Sequence, residues 1–288
     1  MHRTVSAKRV LFLAISTLVF CWSTLMKRIR QLLRIKARAT CVVLYYHEVR
    51  SEDRSRFAHQ MDLLKRCATP VPTDRTEPLI AGQHHVAVTF DDGFQSVIEN
   101  ALPELRMRQI PATLFIITNA VGKAPDWLTD RGSPAHDQPV MSETDLQNLP
   151  AGLISVGSHT LSHPRLPKLT KSEAQREIAE SRTKLECILQ REVRLFSFPY
   201  GAYNAETIAL CRQAGYQRVF TSSPTWAFIT PEEFITGRVP VEPGDWQLEF
   251  RMKLMGAYRW LPLAISLKRC IISLFKARDR RKIEAAPA

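Results

Sequence analysis

The chain has 288 residues, 45% of them hydrophobic, with a formal charge of +12 and a sequence pI near 9.7. That length and apolar content allow one substantial core in one or two domains. Six scattered cysteines (Cys21, Cys41, Cys67, Cys187, Cys211, Cys270) have no CxxC spacing, which argues against a disulfide framework or structural zinc site and leans towards a reducing compartment.

The excess positive charge suits nucleic acid, anionic lipid or an acidic polymer. It is concentrated at the two ends of the chain, which carry no nucleic-acid motif, so no nucleic-acid partner is expected. Val10 to Met26 is a nearly uncharged apolar run of roughly 17 residues, the short end of what spans a bilayer. Arg3, Lys8 and Arg9 precede it. Lys27, Arg28, Arg30, Arg34, Lys36 and Arg38 follow it, with no small-x-small cleavage site. Residues 1–39 are therefore expected to form an uncleaved membrane anchor, and the charge bias places the domain on the cytoplasmic face. Ile29, Leu32 and Leu33 share one helical face, so Met26 to Arg38 could also lie along an anionic membrane surface. The competing reading is an ordinary buried N-terminal helix.

In the body of the chain, Thr40–Tyr46 reads as a buried strand ending at His47 and Glu48. Arg56–Arg66 has helical spacing. Val86–Phe90 is the next strand, followed by a helix over Gln95–Met107 that Pro103 should kink or shorten. Pro111–Thr118 is a third strand. Gly122–Val140 is a long loop, and Ser142 caps a short helix with Asp145 three residues on. Leu153–Val156 is a fourth strand, Ser172–Gln190 a long amphipathic helix, and Ala205–Ala214 a further helix. Val193–Phe198, Val219–Thr221 and Gly237–Val241 are the last strands. Alternating strands and helices imply an α/β fold of parallel βα units, most simply a barrel, over residues 40–250.

Two stretches carry chemistry. Val86–Phe90 delivers Asp91 and Asp92 to the end of a buried strand, and Gly93 lets the backbone turn away. Barrels keep their chemistry at that end, although Asp-Asp-Gly alone is also an ordinary turn. His159 and His163 follow another strand, four residues apart; on a helical turn both would face one side and reach one ion, although such a pair also occurs on plain surfaces and in cores. Two histidines and one carboxylate form a catalytic zinc set with a position open for water, leaving the second aspartate to act as base.

Thr89-Phe90-Asp91-Asp92-Gly93, Ser158-His159-Thr160-Leu161-Ser162-His163-Pro164 and Phe196-Ser197-Phe198-Pro199-Tyr200-Gly201, in that order, resemble the polysaccharide deacetylase family, the NodB-homology domain of carbohydrate esterase family 4. Tyr45-Tyr46-His47, Ala214-Gly215-Tyr216 and Gly237-Arg238-Val239-Pro240 extend the resemblance over roughly Thr40 to Val241. It implies a distorted (β/α) barrel that hydrolyses N-acetyl groups on amino sugars with a divalent metal, usually Zn2+. By the same resemblance Asp92, His159 and His163 would hold the metal and Asp91 would be the base. A backbone N–H near Tyr200 would stabilise the oxyanion, with Tyr200 and Pro199 lining the sugar groove.

Three departures stand out. Ser197 occupies the place where the family carries a base-orienting arginine, for which Arg238 is the candidate substitute. The family's tryptophan motif is echoed only loosely by Trp226 or Trp246. The family's late histidine, the acid for the leaving amine, has no counterpart, because all eight histidines lie at or before His163. His47 could face the same cavity and supply that proton, or be a hydrogen-bonded structural histidine; His84 and His85, ahead of their strand, are expected in solvent. Residues 251–288 read as a basic amphipathic helix and tail, with Leu267, Ile271, Leu274 and Phe275 as its stripe, docked on a membrane or packed on the barrel. The expected function is metal-dependent N-deacetylation of an amino sugar in a polysaccharide or its precursor. The alternatives are a deformylase or deacetylase of a polyprenyl-linked sugar, and a weakly active or inactive carbohydrate-binding subunit of exopolysaccharide assembly.

Overall fold

The structure is a computed structural model, and it describes residues 6–128, 138–230 and 232–267. The apolar runs form parallel strands in the order β8-β7-β6-β5-β4-β3-β1-β9. These are β1 (Thr40–Tyr46), β3 (His84–Phe90), β4 (Ala112–Ile116), β5 (Ile154–Ser158), β6 (Leu195–Ser197), β7 (Arg218–Thr221), β8 (Ile235–Gly237) and β9 (Val239–Pro240); β2 (Thr69–Pro70) adds to β3. β8 pairs with β7 while β9 pairs with β1, so one short segment pivoting at Arg238 nearly closes the sheet into the expected distorted (β/α) barrel.

Period-two alternation sorts the side chains. Val42, Val86, Val88 and Phe90 face the outer helices α2 (Arg54–Cys67), α3 (Leu102–Arg108), α5 (Lys171–Leu189), α6 (Ala205–Gln213) and α7 (Gln247–Leu254) in the main core. Cys41, Val43, Ala87, Phe115, Leu195 and Phe220 fill the barrel interior. Gly157 is required there, since a Cβ would lie 2.5 Å from the Phe115 ring. The expected boundary at residue 250 falls inside α7, and Phe250, Leu254, Ala257 and Tyr258 belong to the main core.

Some local expectations change. Pro103 neither ends nor breaks its helix; a π-turn over Val97–Ala101 absorbs it and α3 continues. His84 and His85 open β3 rather than standing in solvent. His84 bonds Thr40 Oγ1 and the Leu254 carbonyl, both at 2.9 Å, and His85 is buried. The reciprocal capping box of Ser142 and Asp145 forms at the start of α4 (Glu143–Gln147). Helix α1 (Ala7–Leu32) is long and apolar enough to cross a membrane. Ile271, Leu274 and Phe275 lie outside the described residues.

Candidate active site

Parallel strands place their following loops at one end of the barrel, and the chemistry gathers there. β3 ends at Phe90. Asp91 continues its inward face, and Asp92 adopts φ 71° ahead of Gly93 at φ 77°, turning both carboxylates over the mouth. A cleft of about 490 Å³ opens above them, lined among others by His47, Glu48, Trp127, His159, His163 and Tyr200.

Asp91 is anchored from below. Arg238, 1% exposed, emerges between β8 and β9 and donates Nη1 to Oδ1 at 2.7 Å and Nη2 to Oδ2 at 2.8 Å. The same guanidinium donates to Ser197 Oγ at 2.7 Å and Thr89 Oγ1 at 3.1 Å. Burial alone would raise the Asp91 carboxyl; the Arg238 guanidinium overrides it and holds the group well below the usual carboxylate range. Arg238 thus meets Asp91, the partner expected of a base-orienting arginine, and lies beneath the groove rather than in it. The small Ser197 leaves room for it.

Asp92, His159 and His163 bring one ligand atom each within 4.8 Å of one another. Asp92 Oδ1 lies 3.5 Å from Nε2 of both histidines. A tetrahedral zinc ion with bonds of about 2.0–2.2 Å sets its ligands roughly 3.3–3.6 Å apart, so both Asp92 spacings fit. His159 Nδ1 donates to the Ser197 carbonyl at 2.7 Å, which leaves Nε2 as the free acceptor. Burial and the neighbouring His159 pull the His163 imidazole down to about 2, so it is neutral. Burial pushes the Asp92 carboxyl up, and its Oδ1 has no hydrogen-bond partner among the described residues. An orphaned buried carboxylate oxygen facing two imidazole nitrogens is a donor set suited to a divalent cation.

The two histidines do not converge on a helical turn, as their spacing suggested. Residues 159–163 are non-helical, with Thr160 at φ 71° and His163 at φ 62°. Buried Glu177 on α5 holds this strained loop. It accepts from the Leu161 and Ser162 amides at 2.9 and 3.0 Å and from Ser162 Oγ at 2.6 Å, while the His163 amide donates to Thr160 Oγ1 at 3.0 Å. Glu177 looks like any polar position of an amphipathic helix in the sequence, so no local signal pointed to it.

Tyr200 sits at φ 57° with its ring 4.6 Å from that of His163 and the Arg165 guanidinium 4.1 Å from its centre. Its ring is half exposed in the cleft. Pro199 is buried and does not line the cleft, because that turn swings the tyrosine out alone. Exposed His47 stands at the rim, its ring 5.6 Å from that of Tyr45. Neither Trp226 nor Trp246 reaches the cleft; Trp127, from the long loop after β4, does, with its ring 5.7 Å from that of His163. The aromatic wall was therefore hidden in a segment legible only as loop.

Fold and site together define a parallel α/β barrel with paired carboxylates and two imidazoles at its C-terminal mouth. Residues 80–219 match the family model described as polysaccharide deacetylase. The chain is 29% identical over 159 residues to YxkH of Bacillus subtilis (strain 168), provisionally named a polysaccharide deacetylase, covering 55% of this chain and 52% of that one. It is 30% identical over 145 residues to the poly-beta-1,6-N-acetyl-D-glucosamine N-deacetylase of Staphylococcus epidermidis, 47% of each chain. It thus spans about half the length of these curated relatives. Among solved structures, IcaB from Ammonifex degensii superposes with a TM-score of 0.63 at 25% identity, covering 77% of this chain and all of that one.

Proposed function

We propose that this protein is a metal-dependent N-deacetylase acting on an N-acetylglucosamine-containing polysaccharide. The observation that carries the reading is Asp91, held in a bidentate pair by Arg238, beside Asp92, His159 and His163, whose ligand atoms lie within 4.8 Å of one another. The family match and the names of the relatives support the substrate class.

In this reading Asp92, His159 and His163 hold a divalent ion, most simply Zn2+, which when bound polarises a carbonyl and acidifies water. Asp91 takes the proton from the attacking water. The bidentate Arg238 pair aims its carboxylate and keeps it ionised, which limits its basicity but ensures that it is always available. In this reading a backbone N–H near Tyr200 receives the oxyanion, and the Tyr200 amide, which donates to no backbone carbonyl among the described residues, is the candidate. His47 at the rim gives the proton to the departing amine, the role for which the chain has no later histidine. Tyr200 and Trp127 offer aromatic faces to sugar rings. A carbohydrate-binding subunit without turnover would have no need of so complete a set.

The proposal includes membrane attachment through the N-terminal segment. A second acceptor, a polyprenyl-linked amino sugar at the membrane, is favoured by the exposed apolar face of α1. Mass spectrometry of N-acetylglucosamine oligomers incubated with zinc-loaded protein tests the chemistry. Products lighter by whole acetyl groups are expected, and oligomers unchanged by folded, loaded protein would overturn it.

A further inference from the structure

An apolar N-terminal helix that crosses a bilayer must be surrounded by lipid along most of its length. Helix α1 is not free to be so. Arg9 pairs with buried Glu249 on α7, with Nε and Nη2 at 2.8 and 2.6 Å from Oε2, and its guanidinium lies 4.4 Å from the centre of the Trp246 ring. The Phe12 ring meets the Trp260 ring edge-on at 5.2 Å, and Trp260 Nε1 donates to fully buried Ser16 at 2.9 Å. Phe12, Leu13 and Phe20 pack against the main core. One face of α1 is therefore part of the barrel's outer layer.

The opposite face is also apolar and is bare. Leu11, Leu18, Trp22, Leu25, Ile29 and Leu32 recur at intervals of three, four and seven, and are 56, 70, 64, 49, 37 and 83% exposed. Leu263, Ile265 and Leu267, at 75, 49 and 62% exposed, add apolar surface on the helical turns after Trp260. Lys8, Arg28 and Arg30 flank the face, and Arg34, Lys36 and Arg38 follow it. A continuous exposed apolar stripe bordered by cations is complementary to a monolayer of anionic phospholipid, with Trp22 suited to the headgroup boundary.

We infer that α1 is a monotopic device: it stays docked on the barrel and lies in the plane of one leaflet, with the Leu18–Trp22–Ile29 face in the lipid. This deepens the membrane reading and does not depend on the deacetylase chemistry. It also orients the site. Arg9 donates to the Gly244 carbonyl, just beyond the C-terminal end of β9, whereas Ala37 lies against Gly82 at the start of β3. Helix α1 thus runs antiparallel to the strands along the outside of the barrel, and the cleft opens along the membrane surface rather than away from it. A glycan emerging at, or held on, that surface would enter the cleft side-on.

The test uses the full chain and sealed vesicles of phosphatidylcholine and phosphatidylglycerol. Cysteines placed at the helix ends by Ser6→Cys or Arg34→Cys, with native Cys21, Cys67, Cys187 and Cys270 replaced by serine, are treated with a membrane-impermeant maleimide. Both ends should label equally with and without detergent. Leu18→Glu with Leu25→Glu, two exposed positions remote from the cleft, should lower vesicle binding by about tenfold or more. If one end is protected until detergent is added, α1 spans the bilayer and the in-plane inference falls while membrane attachment survives. If the wild-type chain does not bind the vesicles, both fall.

Discussion

Replacing Arg238 by methionine probes the packing and the chemistry in one variant. Arg238 and Asp91 side chains are 1 and 5% exposed, so the substitution leaves a carboxylate buried without its bidentate partner. Stranding one member of a buried pair costs about 3–5 kcal/mol, a large part of the roughly 5–15 kcal/mol that stabilises a domain. The sign with pH follows. In the wild type the depressed Asp91 carboxyl contributes stability above the unfolded-state carboxylate range and loses it on acidification. In Arg238→Met burial acts without the guanidinium that offsets it and pushes the group up, so the variant's deficit is greatest near neutrality and shrinks as pH falls. Denaturant unfolding of the metal-free protein across pH reads this directly. Asp91→Asn in addition should recover part of the loss, because no charge is then buried. A deficit below about 0.5 kcal/mol at neutral pH, the range of ordinary surface changes, would refute the argument, as would a deficit that does not narrow with acid.

Other expectations follow from the same geometry. Asp92→Asn should lose bound zinc, whereas Asp91→Asn should retain it and lose turnover; metal analysis beside acetate release separates them, and full occupancy in Asp92→Asn would contradict the ligand assignment. His47→Ala should reduce turnover by about 10²–10⁴-fold with metal content unchanged; unchanged turnover would remove it from the mechanism. Glu177→Ala should release the loop that carries His163 and weaken zinc affinity by about 10–100-fold, as loss of a supporting partner does. Competition with a chromogenic chelator measures this, and wild-type affinity would show that the loop holds itself.

Much of this site could be read from the chain because its signals are local. β1 and β3 are largely apolar runs rich in β-branched and aromatic residues whose ends place His47, Asp91 and Asp92, and the Ser142 cap is a contiguous pattern. What escaped reading depends on distant partners. The His159–His163 convergence has helical spacing but is made by two left-handed residues and a carboxylate from α5. Arg238 was legible as a candidate, yet its place beneath the base depends on how one short segment closes the barrel. His84 and His85 looked like loop because their partners, Thr40 and Leu254, lie far along the chain. Helix α1 reads as a free anchor by composition, and only its contacts with Glu249 and Trp260 reveal a docked face.

The most direct measurement of the central claim is acetate release from N-acetylglucosamine oligomers as a function of zinc occupancy, with Asp91→Asn at full occupancy as control. The account predicts release that rises in proportion to bound zinc and is abolished in the control. Release that is independent of zinc, or undiminished in Asp91→Asn, would contradict it.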